Sequence, residues 1–88
     1  MISRKVTIQN SVGLHARPAT FFIQKANEYQ NCSIWIERED RRINAKSLLG
    51  VLSLGIAQGM TITLIADGDG EAEAIDGLAA LIDSGIGE

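Results

Sequence analysis

The stretch KVTIQNSVGLHARPATFFIQKA, residues 5–26, changes its hydrophobic period partway along. Over residues 5 to 9 apolar and polar side chains alternate, which predicts a strand with Val6 and Ile8 facing inward. Asn10-Ser11-Val12-Gly13 is a turn signal. From residue 16 onward Ala19, Phe22, Ile23 and Ala26 recur at helical spacing that continues to Tyr29, predicting a helix that ends near Glu28. A strand, a turn and an amphipathic helix follow one another, and no internal repeat, low-complexity tract or long linker appears along the chain.

Ser33 to Glu37 alternates again, with Ile34 and Ile36 inward and Trp35 outward. Glu39-Asp40 separates it from Arg41-Arg42-Ile43, which predicts a hairpin with a polar turn. Arg38, Arg41 and Arg42 are interleaved with Glu37, Glu39 and Asp40, a pattern expected of a solvated hairpin. Ser47 to Gly55 opens with a good N-cap residue and closes with glycine, so a short second helix is predicted. Met60 to Ala66 predicts a strand with Ile62 and Leu64 on one face and Thr61 and Thr63 on the other, broken by Asp67-Gly68-Asp69-Gly70. Glu71 to about Asp83 predicts a third helix, acidic in its first turn, with Ile75, Leu78, Ala79 and Ile82 on one face. The order is β-α-β-β-α-β-α. With one apolar face per strand, the expected fold is α+β: a four-stranded antiparallel sheet with three helices on one side and water on the other, an open-faced β-sandwich. The first two strands must run the same way across a helical crossover, leaving a slot between them for the last.

A chain of 88 residues suits one domain over residues 1–88. Chains of this size bury about 60–65% of the surface they expose when unfolded, so a deep enclosed active site is excluded. The composition, 45% hydrophobic and 22% charged, is that of an ordinary globular domain. No apolar run is long enough for membrane insertion, and no apolar stretch follows Arg4-Lys5, so a cytoplasmic protein without a signal peptide is expected. A net charge of −3 argues against nucleic-acid binding. Cys32 is the one cysteine and His15 the one histidine, which leaves no disulfide, no zinc site and no metal. Cys32 is therefore a structural thiol, and no cofactor is implied.

The chemistry gathers at His15. If the first helix starts there, the N–H groups of Ala16 and Arg17 have no intrahelical partner, and Pro18 has no N–H to satisfy. Two free donors at the positive end of a helix dipole make an anion site, and the Arg17 guanidinium matches phosphate or carboxylate oxygens. A neutral imidazole beside such a site can attack phosphorus. The plainer alternative makes His15 a helix cap and Arg17 a solvated cation. Ser47 likewise has a plain role, as an N-cap contributing about 1 kcal/mol.

Residues 13–20, GLHARPAT, followed by an amphipathic helix and then by NAKSLLGVLSLG at residues 44–55, resemble HPr, the histidine-containing phosphocarrier family of the sugar phosphotransferase system, in its Gram-positive form. The resemblance covers essentially the whole chain. It implies that His15 accepts a phosphoryl group on Nδ1 from phosphorylated enzyme I, which is charged by phosphoenolpyruvate, and passes it to enzyme IIA domains of sugar transporters. Arg17 matches the phosphate-neutralising arginine of the family. Ser47 matches the serine that HPr kinase/phosphorylase modifies with ATP, after which the protein acts as corepressor with catabolite control protein A. The stretch from Ala26 to Ser47 is one residue longer than the common form, most easily placed around Gln30-Asn31-Cys32.

Leu48, Leu49, Val51, Leu52 and Leu54 surround the short second helix, yet a helix against a sheet buries one stripe. Val51 and Leu54 are expected in the core, and Leu49 and Leu52 on the surface. A rimmed apolar patch of this kind marks a docking site. Leu48, Leu49 and Leu52, with Thr20, Phe21 and Gln24 on the flank of the first helix, are the candidate partner interface around His15. A monomeric carrier that is not itself an enzyme is expected. Two alternatives stand beside it: a regulatory paralogue acting through Ser47, although such relatives lack the active histidine, and a ferredoxin-like metal domain, for which ligands are wanting.

Overall fold

Each alternating run pairs as a strand and each 3.6-residue stripe winds as a helix. The computed structural model, which describes residues 1–86, runs β1 (Ile2–Thr7), α1 (Ala16–Asn27), β2 (Cys32–Arg38), β3 (Arg41–Asn44), α2 (Leu48–Ser53), β4 (Thr61–Gly68) and α3 (Glu71–Asp83). Of the domain expected over residues 1–88, Gly87 and Glu88 lie outside the described residues. The strand order is β1-β4-β2-β3, antiparallel throughout. β4 fills the slot between β1 and β2, which therefore run the same way across α1.

Pairing sets Val6 opposite Ile62, Ile36 opposite Leu64 and Ile34 opposite Ala66, and all six side chains are buried on the helix-covered face. Ala19 and Phe22 of α1, Val51 of α2 and Ile75, Leu78 and Ile82 of α3 close over them in one core. Cys32 is buried beside these residues and unpaired. The other face carries Ser33, Thr61 and Thr63, and a hydroxyl pair, Thr7 Oγ1 to Thr61 Oγ1 at 3.1 Å. Ile65 belongs to this open face by alternation but is buried, directly across the ladder from half-buried Trp35.

Two strand boundaries differ from the periodicity. β1 spans Ile2–Thr7 rather than residues 5–9, because β4 is long enough to pair from Ile2 opposite Ala66. Polar Ser3, Arg4 and Lys5 hide that edge strand from a hydrophobic pattern; Arg4 instead reaches Asp76 of α3, Nη2 to Oδ1, at 2.6 Å. β4 continues through Asp67 and Gly68, which pair with Ser33 and Cys32, so the chain breaks only at Asp69. Gly68 has φ +129°, and a Cβ there would lie 3.1 Å from the Cys32 Cα, so the close approach requires glycine.

The arginine cluster is not simply solvated. Arg42 does pair with Glu37 on the surface, but Arg41 donates to the Ser53 carbonyl at 2.8 Å and to Ser53 Oγ at 3.0 Å. Arg38 donates to the Leu54 carbonyl at 3.3 Å. The hairpin thus supplies cations and donors to carbonyls that the end of α2 leaves without helical partners. Lys46 Nζ bonds the carbonyls of Tyr29 and Cys32 at 2.8 and 2.7 Å, fastening the turn after α1 to the segment before α2.

The turn before α1 is fixed from both sides. Asn10, buried, accepts the Gly13 N–H on its carbonyl at 3.2 Å and donates Nδ2 to the Gly13 carbonyl at 2.7 Å. Leu14, also buried, donates its N–H to the Ile56 carbonyl at 3.0 Å. Gly13 adopts φ +64°, and a Cβ on it would stand 2.7 Å from the Ala57 Cα.

Gly13→Ala combines a left-handed backbone with that collision and costs about 2 kcal/mol or more. In urea its midpoint falls while the slope stays that of the parent, and the Leu14 amide exchanges faster. A second prediction concerns pH. The Met1 ammonium lies 3.1 Å from Glu71 and 3.4 Å from Asp67. That ammonium, and next the Gly68 N–H, hold the Glu71 carboxyl below its ordinary range, while Glu71 holds the ammonium above its own. The depressed carboxylate contributes stability above about pH 4.3 and loses it as pH falls through its folded value. The raised ammonium contributes below about pH 8 and loses it as pH rises through its folded value. The melting-temperature gap between wild type and Glu71→Gln is therefore widest from about pH 5 to 8 and narrows toward pH 3 and pH 10.

Candidate functional site

Because Leu14 is pulled into the core, the next residue emerges at the surface. His15 has φ −94° and ψ 177°, extended geometry at the N-cap, and its carbonyl accepts the Ala19 N–H at 2.8 Å. The imidazole makes no capping bond, and it is exposed. The backbone of His15 caps α1; its side chain is free of that duty.

Ala16 and Arg17 follow in the first helical turn, exposed, and their N–H groups meet no acceptor among the described residues. Pro18 is buried and removes a donor the turn could not have used. The macrodipole adds roughly half a positive charge at this end. The Arg17 guanidinium has no carboxylate in ion-pair range among the described residues; it stands over the Phe21 ring, 5.6 Å from its centroid. Imidazole, two backbone donors and a guanidinium therefore share one exposed helix end. That set can hold a dianionic group beside a nucleophilic nitrogen.

Farther along α1, Thr20 is exposed and returns its hydroxyl to the Ala16 carbonyl at 2.9 Å, Phe21 is half-buried and Gln24 is exposed. α2 packs against α1. Leu49 is 81% exposed, Leu48 44% and Leu52 37%, while Val51 and Leu54 are buried. The division of the leucines matches the single-stripe argument. Ser47 is the N-cap of α2, and its Oγ accepts the Gly50 N–H at 3.1 Å. Ile56, which holds Leu14, follows the other end of that helix, so along the chain α2 runs from Ser47 to the segment that anchors the His15 turn.

Sequence reasoning placed His15, Ala16, Arg17 and Ser47 but missed the residues that position them. Asn10 and Ile56 hold the turn, and Arg38 and Arg41 hold the end of α2. Asn10 carried a local signal, a turn-forming residue three before a glycine. The arginine contacts span 12 and 16 residues and have none. Among the described residues no three His, Cys, Asp or Glu side chains converge on a metal-binding point, and no helix is long and apolar enough to cross a membrane.

The geometry has counterparts among known proteins. A family model described as "PTS HPr component phosphorylation site" matches residues 2–84. The chain is 43% identical to the HPr-like protein Crh of Halalkalibacterium halodurans, over 94% of this chain and 98% of that one. It is 39% identical to the phosphocarrier protein HPr of Neisseria meningitidis serogroup A, over 100% and 98%. The crystal structure of HPr-C-His from Thermoanaerobacter tengcongensis superposes with a TM-score of 0.96 at 45% identity, covering 100% of this chain and 98% of that one. An HPr dimer from the same organism superposes with a TM-score of 0.77 at 44% identity, covering all of both chains. A match along nearly the whole sequence, to a family defined by its phosphorylation site and sharing this sheet order and helix placement, means that the chain belongs to the HPr phosphocarrier family of the phosphotransferase system.

Proposed function

We propose that this chain carries a phosphoryl group on His15 between two proteins. Phosphorylated enzyme I, charged from phosphoenolpyruvate, is the donor, and enzyme IIA domains of sugar transporters are the acceptors. The Nδ1 lone pair of His15 attacks phosphorus, an N–P bond forms, and the bond from phosphorus to enzyme I breaks with its electrons remaining on enzyme I. The same step with the partners exchanged passes the group to enzyme IIA. Positioning and charge are most of what such transfer requires. The Ala16 and Arg17 N–H groups and the Arg17 guanidinium supply both to the phosphoryl oxygens. The observation that carries this reading is the exposed imidazole with no capping bond, set beside two N–H groups that meet no acceptor among the described residues. The protein is consumed and regenerated in each cycle, so it is a carrier rather than an autonomous catalyst, and it works without a cofactor as one cytoplasmic, monomeric domain. Thr20, Phe21, Gln24, Leu48, Leu49 and Leu52 face its partners.

A second role rests on Ser47. Its hydroxyl is at the start of a helix whose leucines are exposed, and the similarity to proteins named Crh supports a regulatory use of that surface. A phosphate there adds about −1.5 to −2 charges beside apolar side chains. HPr kinase/phosphorylase would install it, and the modified chain would then bind catabolite control protein A as corepressor. A regulatory paralogue working through Ser47 alone is the competing reading, and the presence of His15 weighs against it.

Incubation with enzyme I and phosphoenolpyruvate places an acid-labile phosphate on the wild type and none on His15→Ala. Label retained by His15→Ala sinks the carrier assignment. Incubation with ATP and the kinase gives an acid-stable phosphate that Ser47→Ala does not take. Ser47→Ala also loses the cap of α2, and about 1 kcal/mol in urea unfolding, while still accepting phosphate at His15.

A further inference from the structure

The geometry points to Phe21 as a positioning residue for Arg17, an inference that rests on the phosphocarrier reading of His15. Arg17 and Phe21 are four residues apart on α1, one turn on the same face. Helical side chains lean toward the N-terminus, so the ring of Phe21 lies under the turn from which Arg17 leaves. The guanidinium carbon is 5.6 Å from the ring centroid, within cation–π range. The two partners differ in freedom. Phe21 is half-buried and packed against the core, whereas Arg17 is exposed and has no carboxylate in ion-pair range among the described residues. A side chain with four rotatable bonds, leaving the first turn of α1, is thus held over a ring that the core keeps in place. A cation–π contact spends none of the guanidinium N–H donors, so they stay available for oxygen acceptors. The ring preorganises the charge that the phosphoryl oxygens meet and does not touch them. Phe21 therefore acts through Arg17, beyond any contact it makes with a partner.

The test compares Phe21→Leu, Phe21→Met and Phe21→Tyr, each with Arg17 intact and in an Arg17→Ala background, after thermal melts confirm folding. In unphosphorylated protein the Arg17 Nε–Hε proton signal carries the ring-current shift of a stacked guanidinium. Phe21→Leu and Phe21→Met abolish that shift, and Phe21→Tyr restores it. With enzyme I as donor, kcat for phosphoryl acceptance falls about two- to five-fold in Phe21→Leu, beyond any change in KM, and Phe21→Tyr recovers the rate. In the Arg17→Ala background Phe21→Leu has no further effect. A rise in KM with kcat unchanged, or a full effect of Phe21→Leu on kcat without Arg17, leaves Phe21 a docking contact alone and overturns the inference. Should wild-type protein take no phosphoryl group on His15, the carrier reading fails. The ring-current shift and a titration with inorganic phosphate then decide the stacking separately: phosphate binding weakened in Phe21→Leu supports it, and equal binding by wild type and Phe21→Leu removes it.

Discussion

The hydrogen bond from the Leu14 N–H to the Ile56 carbonyl joins the two segments on which the surface chemistry depends. It can form only because Gly13 lacks a Cβ and takes a left-handed φ, letting the turn lie against the Ile56–Ala57 backbone. Leu14 is then buried, and the chain must turn outward at the next residue. His15 owes its exposure, and α1 its starting point, to that anchor. A binding loop held this way needs no pocket: rigidity comes from the scaffold beneath it, and access to a protein partner comes from the surface above. For a domain too small to enclose a reaction, this is how an anion site can be both ordered and open.

The same anchor helps to explain α2. Six residues are too few to hold a helix by their own backbone bonds. Ser47 caps one end, Arg38 and Arg41 reach the carbonyls of Ser53 and Leu54 at the other, and Val51 and Leu54 enter the core. Every constraint acts from the ends or from beneath. Leu49 is consequently free to face solvent almost completely, which a helix stabilised by burying all its leucines would not permit. The apolar patch is presented by polar contacts around it.

Periodicity carried the inward faces of the strands and the division of the leucines because both follow from which faces an element can bury, and the helical crossover between the first two strands left the slot for the last. Val6, Ile8, Ile34 and Ile36 alternate, and Phe22 and Ala26 share a helical stripe, so local spacing sufficed. His15, Arg17 and Pro18 were legible for a similar reason: a helix N-terminus is a local event, and the resemblance of residues 13–20 to HPr reinforced it. Features settled by distant partners stayed hidden. Asp67-Gly68 has the composition of a break but remains strand because β2 offers Ser33 and Cys32 to pair with it. Ser3, Arg4 and Lys5 carry no alternation yet form an edge strand because β4 extends that far. Arg38 and Arg41 looked like solvated hairpin charges; only the packing of the hairpin beside α2 gives them carbonyls to satisfy.

The placement of Ser47 relative to His15 bears on how two phosphorylations could interact. Ser47 begins α2, and the Ile56 anchor of the His15 turn lies beyond the far end of that helix. A phosphate on Ser47 would act most directly on whatever covers Leu48, Leu49 and Leu52, since a partner docked on those side chains would have to bury or face the new charge. On the proposed roles, a partner that needs that apolar surface to reach His15 would meet the charge at Ser47 first, so the two modifications would interfere through docking.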